Sequence, residues 1–230
     1  MDDATTGSHT SRSQPFDRAP GSVAGEPPAP PLLRGEVRRV DALTAREIDR
    51  MYAILDEYFD GVARSVFARD LAEKEWAVVL TDGDGRIRGF STMMRFEARV
   101  GDERVAAIFS GDTIVERDCW GETLLPRLWS QHAFRVAATI HDARTYWFLI
   151  CSGYKTYRFL PVFFREFYPC HDRATPDREQ RLLDAFGRTR FPNEYDAAAG
   201  VVRLAAAAAL QPGVADLTEA RLRDPHVAFF

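Results

Sequence analysis

The sequence has little cysteine, no marked excess of charge and no long apolar run. Its only three cysteines, Cys119, Cys151 and Cys170, have neither the paired spacing of a zinc site nor a disulfide framework. A formal charge of −4 lacks the basic excess typical of nucleic-acid binding. No apolar run reaches the roughly 18 residues of a membrane span, and the N-terminus lacks a secretory pattern. We therefore expect a cytoplasmic protein that holds no metal. We also expect that it binds neither nucleic acid nor a membrane.

Apolar residues make up 46% of the 230 residues and aromatic residues 12%, which is enough for the core of one domain. Residues 1–34 differ in composition, because they are rich in Ser, Thr, Gly and Pro. Such a segment buries too little apolar surface to offset the loss of chain entropy. We predict a disordered tail over residues 1–34 and a single domain over 35–230.

Local signals predict most of the elements in the first two thirds of the chain. Thr44 and Glu47 form a capping-box pattern that begins a helix extending to about Phe59. The turn sequence Asp82-Gly-Asp-Gly85 separates two alternating segments and indicates a hairpin. The remaining predictions are strands over 36–40, 76–81, 87–96 and 105–115 and helices over 62–73 and 123–138.

The stretch 145–168 is predicted to be a buried strand that leads into an amphipathic helix. The strand covers 146–150 and ends at Ser152-Gly153. Ligands of open α/β sheets bind beyond the carboxyl ends of strands, so residues 152–158 are expected to face a crevice. The helix face would consist of Tyr157, Leu160, Phe164 and Phe167.

The C-terminal part gives weaker signals. We predict a strand over 200–204, followed by an alanine run and a helix over 217–222. The apolar residues 227–230 are expected to pack as an edge strand or at a subunit contact, which would suit a homodimer.

This order of elements, an antiparallel meander followed by a βαβ unit, resembles the GNAT superfamily of N-acetyltransferases over roughly residues 36–169. The resemblance implies an α/β fold with a mixed, mostly antiparallel central sheet flanked by helices. It also implies acyl-CoA as cofactor, with an acetyl or longer acyl group. In that family a loop of the type Arg/Gln-x-x-Gly-x-Gly/Ala and the following helix start hold the diphosphate. The cofactor-binding positions that it implies here are Val115, Trp120, Gly121, Glu122 and Thr123.

The loop keeps one glycine, Gly121, and it is accompanied by the acidic residues Glu116, Asp118 and Glu122. Negative charge beside a diphosphate favours a second donor, the acyl-phosphopantetheine arm of an acyl carrier protein. The sequence is therefore compatible with two acyl donors, acyl-CoA and the acyl-phosphopantetheine arm.

Amine acylation needs a base that takes the ammonium proton. Asp112 is the candidate because it interrupts an apolar strand, where burial should raise the pKa of a carboxyl group. The structural alternative is a β-bulge at Gly111-Asp112 whose carboxylate caps backbone N–H groups.

The departing sulfur needs a proton, which the family resemblance assigns to a tyrosine. Phe164 occupies that position here, so Tyr154 or Tyr157 is predicted to be the acid. For an anionic donor we predict contacts from Ser152 and Arg158, whereas Lys155 is expected to be solvated.

Three functions are compatible with this pattern. The first is an N-acyltransferase that moves an acyl group from a thioester to an amine of a small molecule or peptide. The second is a catalytically silent GNAT-like ligand-binding or scaffold module. The third is a thioesterase-like hydrolase, which would require a reactive thiol at Cys119 or Cys151.

Overall fold

One five-stranded mixed sheet forms the centre of the molecule. The computed structural model describes residues 32–204 and 209–230. Four neighbouring strands run antiparallel, and the last joins its neighbour in parallel. The predicted fold class, a mostly antiparallel sheet with flanking helices, is confirmed. In spatial order the strands are β1 (Arg34–Arg39), β3 (Trp76–Thr81), β4 (Ile87–Val100), β5 (Glu103–Val115) and β6 (Arg144–Leu149).

Helices cover both faces of this sheet. The front face is the one covered by α1 (Ala45–Tyr58), α2 (Arg64–Ala72) and α6 (Asp177–Arg190), and the back face is covered by α3 (Leu124–Ala137). Within the described ranges 32–204 and 209–230, no helix has both the length and the apolar character needed to cross a membrane.

The start of α1 is fixed by its predicted capping box. The Thr44 hydroxyl accepts a hydrogen bond from the Glu47 backbone N–H at 3.3 Å, and the Glu47 carboxylate accepts one from the Thr44 N–H at 2.8 Å. Two otherwise unpaired donors of the first turn are satisfied. The helix then buries one stripe against the front face, formed by Met51, Ile54, Leu55 and Tyr58.

The predicted helix after β6 is wrong in extent. Two short helices, α4 (Tyr154–Tyr157) and α5 (Phe159–Phe163), replace it, and the chain is extended at Phe164. Pro161 has no N–H to donate to the Tyr157 carbonyl, and its ring disfavours a continuous helix through this point. Because of this break, Tyr157, Leu160, Phe164 and Phe167 do not form one face of a single helix, as we had predicted.

Short elements complete the chain. The predicted strand over 200–204 is only β8 (Val201–Val202), which pairs with β7 (Tyr195–Asp196). A second small ladder joins β2 (Phe59–Asp60) to β9 (Ala209–Leu210). The predicted helix over 217–222 is α7 (Glu219–Leu222). Residues 1–31 of the predicted tail and 205–208 of the alanine run lie outside the described residues.

The prediction of an edge strand at residues 227–230 is wrong. The segment forms a short helix, α8 (Pro225–Phe229), because Asp224 caps the His226 N–H at 3.0 Å and a proline occupies the first helical position. Val227 is buried, and the rings of Phe229 and Phe230 lie about 6 Å from that of Tyr157.

Candidate active site

A β-bulge lies in the middle of β5. Ser91 of β4 is paired with Thr113, but Met93 is paired with Ser110, so that two residues of β5, Gly111 and Asp112, oppose one residue of β4. Such a bulge puts an extra residue into the alternation of side chains. The bulge that we had predicted as the structural alternative is present.

The bulge decides which way Asp112 points. Phe109 and Ile114 both pack on the front face, although they are an odd number of residues apart. In a regular strand, residues at odd spacing face opposite sides. The extra residue therefore turns Asp112 towards the front face. Among the described residues no hydrogen bond reaches its carboxylate, so the capping role of the structural alternative is not observed.

The two parallel strands separate next to this bulge. The pairing of β5 with β6 ends at Ser110 and Leu149, whereas β5 continues beside β4 to Val115. The chain leaves β6 towards Ser152, which is exposed. The edge of β5 beyond Ser110 thus lacks a partner strand on the β6 side. This edge lies at the carboxyl ends of two parallel strands, which is where α/β proteins bind ligands.

Burial raises the pKa of Asp112 from 3.8 to about 6. The negative charge of Asp70 adds to this rise, and the positive charge of Lys74 opposes it. A carboxyl group with such a pKa changes its protonation state near neutral pH, which suits a general base.

The loop after β5 turns sharply at Gly121, whose φ of +98° is in the left-handed region that favours glycine. Thr123 precedes α3 without capping it through its side chain. The first N–H groups of α3 therefore point out of the helix without a side-chain acceptor, and they favour an anion.

Two of the three acidic residues of this loop are neutralised. Glu116 is buried and forms ion pairs with Arg50 and Arg88. Asp118 accepts a hydrogen bond from Arg88 at 2.5 Å. Glu122 is exposed. The carboxylates of Glu116 and Asp118 are thus paired with arginines and would repel a bound diphosphate less than unpaired carboxylates would.

Three cations meet beside the loop, and we call Arg117, Lys155 and Arg221 the cation trio. The Lys155 ammonium lies 4.1 Å and the Arg117 guanidinium 5.1 Å from the centre of the Trp120 ring. The Arg221 guanidinium lies 6.0 Å from the Tyr154 ring.

The cation trio has an uncompensated positive charge. Burial, and then the charges of Arg221 and Arg117, lower the pKa of Lys155, and Asp216 opposes them only in part. Within 32–204 and 209–230, none of the three cations has a carboxylate at ion-pair distance. Like charges held together in this way favour an anionic ligand.

The other predicted donor contacts are arranged differently from our expectation. Arg158 is paired with Asp224 at 3.4 Å. Lys155 is exposed to solvent, as we expected, and its ammonium belongs to the cation trio. The carbonyl of Val115 accepts a hydrogen bond from the indole of Trp120 at 2.8 Å.

The two candidate acids, Tyr154 and Tyr157, differ in the hydrogen bonds that their hydroxyl groups form. The Tyr157 hydroxyl donates to the Pro169 carbonyl at 3.3 Å, and burial raises its pKa to about 12. Tyr154 is buried, and its hydroxyl has no hydrogen-bond partner among the described residues. Tyr154 is therefore the more available proton donor.

The thiols do not support the hydrolase alternative. Burial raises the pKa of Cys119 to about 11 and that of Cys151 to about 12. At neutral pH such thiols are protonated and weakly nucleophilic. No group of three or more His, Cys, Asp or Glu side chains that could hold a metal occurs in the described part of the chain.

An open groove of about 1120 Å³ runs along the outer edge of β6. Aromatic side chains form much of its wall, among them Tyr146, Phe148, Phe164 and Phe186.

No protein-family model matches the chain, and no curated protein matches it. Solved structures do match. An acetyltransferase from Trypanosoma brucei is 15% identical, with 62% of this chain and 98% of that chain covered and a TM-score of 0.43. Glucosamine-6-phosphate N-acetyltransferase from Arabidopsis thaliana is 12% identical, with coverages of 62% and 99% and a TM-score of 0.43. A GNAT family N-acetyltransferase from Escherichia coli in complex with CoA is 18% identical, with coverages of 47% and 59% and a TM-score of 0.35.

Proposed function

We propose that this chain is a divergent GNAT-type N-acyltransferase that moves an acyl group from a coenzyme A thioester to an amine of a small molecule or peptide. The observation that carries the proposal is the bulge that turns Asp112 to the front face, next to the point where β5 and β6 separate. A thioester in this opening would lie beside a carboxyl group whose pKa is about 6.

The cation trio supports coenzyme A as the donor. Coenzyme A has a diphosphate and a further phosphate, whereas the phosphopantetheine arm of a carrier protein has one. Arg117 and Lys155 lie at the ring of Trp120, in the loop that leads into α3, and Arg221 lies at the ring of Tyr154. The start of α3 adds the positive end of a helix. Several phosphates match this concentration of positive charge better than one does.

The residues can perform the transfer with balanced protons. The Asp112 carboxylate takes one proton from the ammonium group of the acceptor. The nitrogen lone pair then attacks the thioester carbon, a C–N bond forms and the C–S bond breaks. The Tyr154 hydroxyl gives a proton to the thiolate. The second proton that the nitrogen loses in becoming an amide replaces the one that Tyr154 gave.

The donor assignment is tested by calorimetric titration of the full chain with coenzyme A and with 4′-phosphopantetheine. Lys155→Met is expected to weaken the binding of coenzyme A by about 10-fold or more, because a hydrogen bond to a charged group contributes about 1.5–3 kcal/mol. The effect on 4′-phosphopantetheine should be smaller.

The matched control is Arg135→Met, which removes an exposed cation near the far end of α3. It should leave both affinities unchanged. Equal affinity of Lys155→Met and the wild type for coenzyme A would exclude the cation trio as the phosphate site. Tighter binding of 4′-phosphopantetheine than of coenzyme A would favour the carrier-protein donor.

A further inference from the structure

A buried lysine lies behind the bulge. Lys74 is one of only two lysines among the 30 basic residues of the chain, and its side chain has no exposed surface. Its ammonium donates to the Asp70 carboxylate at 2.6 Å and to the Asp70 carbonyl at 3.1 Å. It also lies 5.7 Å from the centre of the Phe109 ring. A charged lysine at such a depth requires a defined partner.

The helix α6 brings a second cation to the same carboxylate. Arg190 donates to Asp70 at 3.2 Å and approaches Glu73 to 2.7 Å. Two cations, Lys74 and Arg190, thus oppose two carboxylates, Asp70 and Glu73. The group is electrically balanced without Asp112, so ionisation of Asp112 adds an uncompensated negative charge.

The lysine touches the bulge itself. A Cβ atom added to Gly111 would be 2.7 Å from the Lys74 Cε and 2.2 Å from the Thr92 Oγ1. The lysine stem therefore lies directly on the backbone that aims Asp112. The Thr92 hydroxyl, which is also buried, has no hydrogen-bond partner among the described residues.

The charged groups around Asp112 can be named from every front-face element. Asp70 belongs to α2, Glu73 and Lys74 follow it, and Arg190 belongs to α6. The helix α1 turns one charged side chain towards the sheet, Arg50, which donates to the Ile87 carbonyl and pairs with Glu116. The charges that act on the pKa of Asp112 are those of Asp70, which raises it, and Lys74, which lowers it.

We propose that Lys74 is a positioning residue for Asp112, and that the Asp70–Lys74 ion pair sets how readily Asp112 takes up and gives up the proton of the acceptor. This inference rests on the proposed function, in which Asp112 is the base. Lys74 favours the carboxylate that begins the reaction, and Asp70 favours the protonated form that follows proton transfer. The lysine contact with Gly111 holds the bulge in the orientation that turns Asp112 towards the front face.

The test follows the Asp112 carboxyl carbon by NMR during a pH titration of the full chain, with Asp112→Asn used to assign the signal. Lys74→Met, which keeps the length of the stem, should shift the Asp112 titration upward by about 1 pH unit, because an opposite charge within a few ångströms lowers a carboxyl pKa by about 1 to 3 units. Asp70→Asn should shift it downward by a similar amount.

The opposite signs distinguish electrostatic positioning from a structural role, since general loosening of the site would move both titrations in the same direction. Glu73→Gln is the matched control, and its shift should be much smaller than either. Shifts of the same sign, or no shift in Asp70→Asn, would overturn the inference. If Lys74→Met does not fold, Lys74→Gln, which also removes the charge, takes its place in the comparison of signs with Asp70→Asn.

This readout needs neither donor nor acceptor. Opposite shifts together with an absence of acyl transfer would reject the proposed function and keep the electrostatic coupling. Normal acyl transfer without the shifts would reject the coupling and keep the function.

Discussion

Replacing Asp112 by Asn is expected to lower kcat/KM for acyl transfer by about 10²- to 10⁴-fold, because a positioned base contributes a factor of that size. Asn has nearly the same shape but cannot take the proton of the ammonium group. Donor affinity should be unchanged, because the cation trio is untouched. In the wild type, kcat/KM should fall as the pH decreases through about 6, where Asp112 becomes protonated.

Stability provides the control for this prediction. The folded-state pKa of Asp112 lies above its ordinary value of 3.8, so the folded chain binds this proton more tightly than the unfolded chain. The resulting stabilisation is complete below pH 3.8 and is lost as the pH rises through about 6. At pH 8 the Asn variant should therefore melt no lower than the wild type.

Asp102→Asn, in the exposed turn between β4 and β5, should leave activity unchanged. A fully active Asp112→Asn enzyme would contradict the assignment of the base. A loss of activity that merely follows a loss of folded protein would contradict it as well.

Replacing Gly111 by Val is expected to reduce both stability and activity. Even the first added carbon would lie 2.2 Å from the Thr92 hydroxyl and 2.7 Å from the Lys74 stem, both of which belong to buried side chains. Overpacking of this kind costs about 1–3 kcal/mol of unfolding free energy. A displaced bulge would also misdirect Asp112, and a shift of about 1 Å in a reacting group can cost about 100-fold in rate.

Urea unfolding and initial rates on the same samples measure the two effects. Gly83→Val is the matched control, because no atom lies within 4 Å of a Cβ atom built at that turn position. It should leave the rate unchanged. A Gly111→Val variant with wild-type kcat/KM would show that the geometry of the bulge is not required.

Elements defined by neighbouring residues could be predicted from the sequence. The capping box of α1 and the turn at Asp82 depend on side chains that bond backbone groups within a few residues. The ranges of β3 and α3 could be predicted from turn residues at their ends and from the spacing of apolar residues. The order of elements along the chain could be predicted from such signals, whereas the order of strands in the sheet depends on pairing between distant segments.

The candidate site was only partly predictable, because its charges come from distant parts of the chain. Asp112 was found because one carboxylate interrupts an apolar strand. Arg190 meets Asp70 across 120 residues, and no local pattern indicates that contact. Arg221 lies in a short helix that was predicted, but its approach to Tyr154 depends on tertiary packing.

The central claim is that a coenzyme A thioester binds where β5 and β6 separate, with its reactive carbon beside Asp112. A crystal structure of the full chain with a non-hydrolysable thioether analogue of acyl-CoA tests this directly. We expect the sulfur atom to lie between β5 and β6 beyond Ser110 and Leu149, and the phosphates to contact the cation trio. An analogue bound only in the groove along the outer edge of β6, or no bound analogue at saturating concentration, would contradict it.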